Sequence, residues 1–315
     1  MDAFDDKSLK PMLIGKEGPP FDDDSYYFEL KLDGERCLAY LDDAGTVLIN
    51  RRGSKVLPKM PELADIHKQA AKKCILDGEL VVTVDGRLDF DEINRRWLMS
   101  NKASIDMASK TRPATFVAFD ILYSEGTLLT ERPLYERKRL LEDIVRENNR
   151  ISVSRYVEGQ GVPFFELVRK EGLEGIVAKS RRSIYYPGKR TSDWIKIKNL
   201  LEDDFVVCGY LQKSEHIASI VLGQYDEYGT LFYAGHAALA AAREDFKKIK
   251  AQEKTDAQPF GQKLPPGNEN AVWIEPSLVC IVSFLNRTAG GGLRHPLYKG
   301  LRLDKAPKEA VYIKR

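Results

Sequence analysis

From Tyr26 to Asn50 apolar and polar residues alternate and are cut by turn residues at short intervals, a period of two that suits only extended strands. Tyr-Tyr-Phe-Glu-Leu ends at Leu30, Cys-Leu-Ala-Tyr-Leu ends at Leu41, and Asp42-Asp43-Ala44-Gly45 leads into Thr-Val-Leu-Ile. The pattern predicts strands joined by hairpin turns, and hence antiparallel sheet. Further strands are expected from Cys74 to Val84, interrupted at Asp77-Gly78, and from Thr115 to Tyr123. Proline-led helical patterns run from Pro61 to Lys73, with Leu63, Ile66 and Ala70, and from Pro133 to Glu147, with Leu134, Leu140, Leu141, Ile144 and Val145. A third runs from Pro163 to Glu171 and stops at Gly172, while Asp89 to Arg112 reads as a helix and a connection.

The acidic Glu202-Asp203-Asp204 marks a boundary, giving domains of 1–199 and 200–315. Beyond it, strands at Phe205 to Leu211, Ile217 to Tyr225, Thr230 to Tyr233 and Trp273 to Phe284, with an alanine-rich helix from Ala237 to Lys250, fit a small barrel of the OB type. The expected class is α+β. With 315 residues, 43% of them hydrophobic and 30% charged, both parts can bury a core. Cys37, Cys74, Cys208 and Cys280 form no CxxC pair, which speaks against a disulfide framework or a zinc site. Met1 to Pro20 has no apolar signal core and no run is long enough to span a bilayer, so a cytoplasmic protein without membrane contact is expected. The net charge of +2 conceals basic stretches at Lys179 to Lys198 and Arg287 to Arg315, the footprint of a polyanion partner or of a solvated face.

Chemistry concentrates in Glu29-Leu-Lys-Leu-Asp-Gly-Glu-Arg36. In an extended segment Glu29, Lys31 and Asp33 project to one side while Leu30 and Leu32 face a core. Gly34 permits a tight turn or the close approach of a ligand, and Arg36 supplies a planar cationic fork. A lysine ammonium, ordinarily with a pKa of roughly 10.4, is no nucleophile at neutral pH unless cations, a metal or desolvation favour its neutral form. Taken alone, this stretch is equally well a surface strand ending in a solvated Lys31–Asp33 pair.

In order, the chain also carries Asn50-Arg-Arg-Gly53, Leu76-Asp-Gly-Glu-Leu80, Phe116-Val-Ala-Phe-Asp120, Glu174-Gly-Ile-Val177, Trp194-Ile-Lys-Ile-Lys198 and Gly300-Leu-Arg-Leu-Asp-Lys305, the last preceded by Leu293-Arg-His-Pro. The set resembles the covalent nucleotidyltransferases, specifically the ATP-dependent DNA ligases of the bacterial end-joining (ligase D) type. The resemblance covers nearly the whole chain and implies an adenylation domain of antiparallel sheets with helices, followed by an OB-fold β-barrel. It implies sealing of nicked duplex DNA through a lysine-AMP intermediate, with ATP as substrate, Mg2+ or Mn2+ as cofactor, a monomeric enzyme of DNA repair, recombination and replication, and DNA-end-binding repair proteins as partners. RNA ligase and mRNA guanylyltransferase are the alternatives within the superfamily; a nucleic-acid-binding protein with an idle pocket is the alternative outside it.

By the same resemblance Lys31 is the nucleophile and Glu29 reads the adenine amino group. Arg36 and Arg51 hold ribose and phosphates, Glu79 accepts from the ribose hydroxyl or lies near a metal, and Phe119 stacks on the base. Asp33 and Glu174 are metal carboxylates, and Lys196 and Lys198 neutralise the α-phosphate. Arg302 and Lys305 are, by their own chemistry, cations suited to the β- and γ-phosphates, the alternative being a basic tail on the DNA backbone. Asn50 stands where a serine or threonine is usual, and Ser283-Phe-Leu-Asn-Arg-Thr lacks an expected glutamate near Asn286.

Overall fold

The computed structural model describes residues 2–213, 216–239, 243–288 and 291–312, and the chain divides into two compact units, Met1–Asn199 and Leu200–Arg315. In the first unit one sheet is built on β3 (Glu35–Asp42), β4 (Gly45–Asn50), β5 (Cys74–Val84) and β7 (Ala114–Ser124), in the order β4-β3-β5-β7-β8. Its short members are β6 (Arg87–Leu88) on β5, and β8 (Thr127–Leu128) and β9 (Ile151–Val153) on β7. The second sheet runs β1-β12-β11-β2-β10, from β1 (Leu13–Glu17), β2 (Asp23–Leu30), β10 (Tyr156–Gly159), β11 (Gly175–Ser180) and β12 (Arg190–Lys198). The expected β3–β4 hairpin forms, whereas β2 and β3 lie in different sheets.

Strand alternation explains the layering. On β3, Cys37, Ala39 and Leu41 enter one core while Leu38 and Tyr40 enter another. That second core also takes Val177 of β11 and Trp194 of β12, so it lies between the two sheets. The outer face of the second sheet, through Phe28, Ile176, Ala178, Ile195 and Ile197, is covered by Phe165 and Val168 of the helix α5 (Gly161–Lys170).

Several local expectations are corrected. Between Pro61 and Lys73 there are two 3-10 turns, Pro61–Leu63 and Ile66–Gln69, because Ala70 leaves the helical path to bridge Val145. β5 is continuous through Asp77-Gly78, and the helix expected from Pro133 spans Leu134–Ile144 (α4) with Pro133 as its cap. Leu30 is 37% exposed and Leu32 only partly buried, so neither is a core residue.

In the second unit β13 (Leu201–Lys213), β14 (His216–Tyr225), β15 (Leu231–Ala238), β16 (Ala271–Phe284) and β17 (Leu297–Leu301) close into a barrel in the order β13-β14-β15-β17-β16. Such closure removes free sheet edges. Ala237 and Ala238 belong to β15, Ala237 filling the barrel core, and the helix α6 spans Arg243–Lys250; residues 240–242 of the expected helix lie outside the described residues. Both architectures match the expected α+β class with an OB-type barrel.

Candidate active site

Sheet register assembles the site. The Lys31 amide, just past β2, donates to the Gly175 carbonyl at 2.9 Å, and Gly175 is paired across β11 with Lys198. The next row along the same face is Glu29, Val177 and Lys196. The pairing of β2 with β11, and of β11 with β12, more than a hundred residues later in the chain, therefore brings Lys31, Lys196 and Lys198 onto one sheet face. Gly175 is fixed by that approach: its φ is +142°, and a Cβ would meet the Ile197 carbonyl oxygen at 2.2 Å. The preceding residue, Glu174, forms an ion pair with Lys31 through Oε1.

Beside this pair β3 and β5 place Arg36 opposite Glu79. Arg36 donates from Nε to Asp77 Oδ1 and from Nη2 to Asp77 Oδ2, each at 2.6 Å, a bidentate clamp on a fully buried carboxylate that also accepts from the Tyr185 hydroxyl. Burial pushes Glu79 up to about 8, although the charges of Arg36 and Lys31 pull it down and those of Asp77 and Glu174 add to the rise. The glycines of both motifs serve backbone packing. A Cβ at Gly34 would sit 2.1 Å from the Leu80 carbonyl oxygen, and one at Gly78 would sit 2.5 Å from Phe116 Cζ. The close approach at Gly34 is thus to β5, where the sequence had allowed for a ligand.

Phe119 occupies a bulge. Gly78 pairs with Ala118 and Asp77 with Asp120, leaving Phe119 as the extra residue of β7 and turning it toward the core between the sheets, opposite to Phe116. It is 7% exposed, with the Arg36 guanidinium 4.5 Å and the Lys179 ammonium 4.1 Å from its ring centroid. A base stacking on this ring requires one of those cations to shift.

Glu29 is 1% exposed and holds two buried ammonium groups, Lys138 of α4 at 2.6 Å and Lys179 of β11 at 3.0 Å. Burial brings Lys179 down to about 8, with Glu29 opposing the fall and Lys138 adding to it. Both of its carboxylate oxygens are engaged by lysine in this arrangement. Sequence reasoning missed Lys138, Lys179, Asp77 and Tyr185. Two of these carried a signal: Lys138 sits four residues after Leu134 and three before Leu141 on the buried helix face, and Lys179 shares the inward face of Val177.

Lys196 and Lys198 both meet Glu17 of β1, at 3.3 and 3.1 Å. Asn50, in place of serine or threonine, organises the loop of Arg51: its Oδ1 accepts from the amides of Arg52 at 3.0 Å and Ser54 at 2.8 Å, and its Nδ2 donates to Glu35 at 2.9 Å. Arg51 is exposed, and Asp33 is half-buried in the loop after β2. In the second unit Arg302 forms a bidentate pair with Asp304 at 2.9 and 2.8 Å and also meets Asp204 at 3.3 Å, while Lys305 forms an ion pair with Asp204. Among the described residues no three His, Cys, Asp or Glu side chains cluster around a metal position. Glu79, whose proton affinity the Glu174 charge raises, and Glu174 are nevertheless hard oxygen donors of the kind that would suit a magnesium ion.

Residues 16–198 match the ATP dependent DNA ligase domain, and residues 213–305 match the ATP dependent DNA ligase C terminal region. The multifunctional non-homologous end joining protein LigD of Pseudomonas aeruginosa is 31% identical over 309 residues, which cover 94% of this chain but 35% of that protein. The SPbeta prophage-derived DNA ligase-like protein LigB of Bacillus subtilis is 29% identical over 94% of this chain and 99% of its own. Among solved structures, mycobacterial DNA ligase D complexed with ATP and MES superposes with a TM-score of 0.56 at 29% identity, covering 96% of this chain and 98% of that one. On the extent of these matches, the chain belongs to the ATP-dependent DNA ligase family.

Proposed function

We propose that this chain seals nicks in duplex DNA by three displacements at phosphorus: adenylation of Lys31 by ATP, transfer of AMP to the 5′-phosphate of the nick, and attack by the 3′-hydroxyl with AMP leaving. The observation that carries this reading is the convergence of Lys31, Lys196 and Lys198 on one sheet face, with Glu174 and Glu79 beside Lys31. Phosphoryl transfer asks a protein for positioning and charge neutralisation more than for covalent chemistry, and this face supplies both. Lys31 must lose its proton before attack, and the Glu174 carboxylate, in ion-pair contact with its Nζ, holds the side chain in place and can accept that proton on its way to solvent. Lys196 and Lys198 stabilise negative charge on the α-phosphate, and Arg36, whose Nε and Nη2 are taken by Asp77, offers Nη1 to the nucleotide. Glu174 and Glu79 would hold Mg2+ or Mn2+, which would supply neutralisation of negative charge on the phosphates. Phe119 faces the base, and Glu29 fixes the amino end of the adenine site through its two lysines. Arg302 and Lys305 act on the departing pyrophosphate.

The substrate is nicked DNA, and DNA-end-binding repair proteins are partners consistent with the end-joining relatives. Among the described residues no helix is long and apolar enough to cross a membrane. The test is incubation with ATP or GTP and a divalent metal, followed by intact-mass measurement. An AMP increment with ATP alone, lost in Lys31→Ala, is expected; the increment on Lys31→Ala would falsify the assignment, and a GMP increment would favour a guanylyltransferase.

A further inference from the structure

β1 ends at Glu17, and its parallel pairing with β12 sets that residue beside Lys196. A single carboxylate oxygen, Oε2, lies within ion-pair distance of both Lys196 and Lys198. Two ammonium groups that would otherwise repel therefore converge on one anionic oxygen. Burial works against ionisation of Glu17, yet the hydrogen bonds and charges of Lys198 and then Lys196 prevail and hold its carboxyl below the usual range. The backbone keeps it there: the Gly18 amide donates to the Lys196 carbonyl at 3.2 Å, and Pro19 and Pro20 follow with their φ angles locked. The Glu17 side chain is still 38% exposed, so it can turn into water without stranding a buried charge.

An anionic oxygen bridging two lysines offers them what a phosphate oxygen offers. We propose that Glu17 is a built-in occupant of the phosphate subsite formed by Lys196 and Lys198, one that a nucleotide phosphate must displace. The inference rests on the reading of these two lysines as phosphate ligands. Glu17 keeps the subsite assembled before substrate arrives and, by competing for it, sets the affinity for the incoming phosphate. Half-exposed ion pairs are individually weak, so releasing both lysines changes phosphate affinity by about two- to tenfold.

Glu17→Gln keeps the shape and removes the charge. Calorimetric titration of tripolyphosphate into the full chain should show binding about two- to tenfold tighter in Glu17→Gln than in the unsubstituted protein, with Glu17→Asp retaining the weaker binding. Adding Lys198→Gln to Glu17→Gln should abolish the gain. In self-adenylation, Glu17→Gln should lower the ATP concentration giving half the maximal rate by a similar factor while leaving the saturating rate nearly unchanged. Tripolyphosphate binding that is unchanged or weaker in Glu17→Gln, in a protein that melts as the unsubstituted one does, overturns the proposal. A fall in saturating rate without a gain in affinity overturns it too, since Glu17 would then only position. Should Glu17→Gln melt early, Glu17→Ser takes its place with the same expected tightening. The tripolyphosphate measurement needs no catalysis, so failure to form an AMP adduct would sink the ligase reading and leave this proposal to be judged separately.

Discussion

Replacing Glu29 with glutamine separates a base-reading role from a structural one. The carboxylate is buried and neutralises two ammonium groups, Lys138 and Lys179, that are themselves buried. Glutamine preserves the volume and one acceptor oxygen but leaves both cations without a counter-ion. Removing one partner of a buried pair costs about 3–5 kcal/mol, so the variant should unfold at clearly lower urea concentration at pH 7. Lys179 limits the loss, because burial has already brought it to about 8 and the absence of Glu29 lowers it further. Below pH 8 the unsubstituted protein keeps that proton while the variant sheds it. The stability gap should therefore narrow by up to about 1.4 kcal/mol per pH unit between pH 7 and 8. Above pH 8 both folded proteins have lost the proton, and the gap should stay level. Urea titrations of the two proteins at pH 7, 8 and 9 test this. Equal midpoints at pH 7, with only a weakened response to ATP, would refute the buried-network argument and restore a purely base-reading Glu29.

Glu79 is held near 8 by burial against an ordinary carboxyl value of 4.5, so the folded state retains a proton that the unfolded chain has released. Stability should fall as pH rises from 4.5 toward about 8, and Glu79→Gln should flatten that decline in thermal melts across this range. Asp204→Asn should release Arg302 and Lys305 and lower the ATP concentration for half-maximal adenylation by about two- to fivefold. A loss of adenylation in Asp204→Asn would instead make Asp204 a residue that orients the cations.

The β3–β4 hairpin was legible because its turn and both strands lie within sixteen residues of text, Glu35 to Asn50, and alternation alone sets its faces. That Phe119 faces away from Phe116 was legible too, because residues three apart on a strand point to opposite sides, but the bulge that holds Phe119 was not, since it depends on the register of a partner strand about forty residues away. Leu63, Ile66 and Ala70 have helical spacing, yet Leu63 and Ile66 are buried by two separate turns and Ala70 joins a strand bridge. Ala237 misled through propensity: alanine favours helices, but its small side chain also fits a crowded barrel interior, and tertiary packing decided. The lysines and arginines of the motifs could be found in the sequence while the acids that pair with them could not. Glu17 and Asp204 look like ordinary surface acids, and Asp77 like an interruption of its strand, until the sheets bring each beside its cations.

These carboxylates fall into two kinds, and burial separates them. Asp77 is fully buried, bidentate with Arg36 and capped by the Tyr185 hydroxyl, so withdrawing Arg36 would strand a charge at a cost of about 3–5 kcal/mol. A single phosphate contact, worth about 1.5–3 kcal/mol as a hydrogen bond to a charged group, cannot repay that, so Arg36 remains clamped and can reach a nucleotide only with the donor that Asp77 leaves. Glu17 is different, its side chain being 38% exposed. Its pairs with Lys196 and Lys198 are of the weak, screened kind that an incoming phosphate can replace without leaving a bare charge behind. On the proposed reading the clamped arginine is the fixed wall of the phosphate site, and Lys196 and Lys198 are its exchangeable contacts. That division follows from how deeply each acid is buried, and a chain that carried the same motifs with Glu17 sealed from water would bind phosphate poorly however well its lysines were placed.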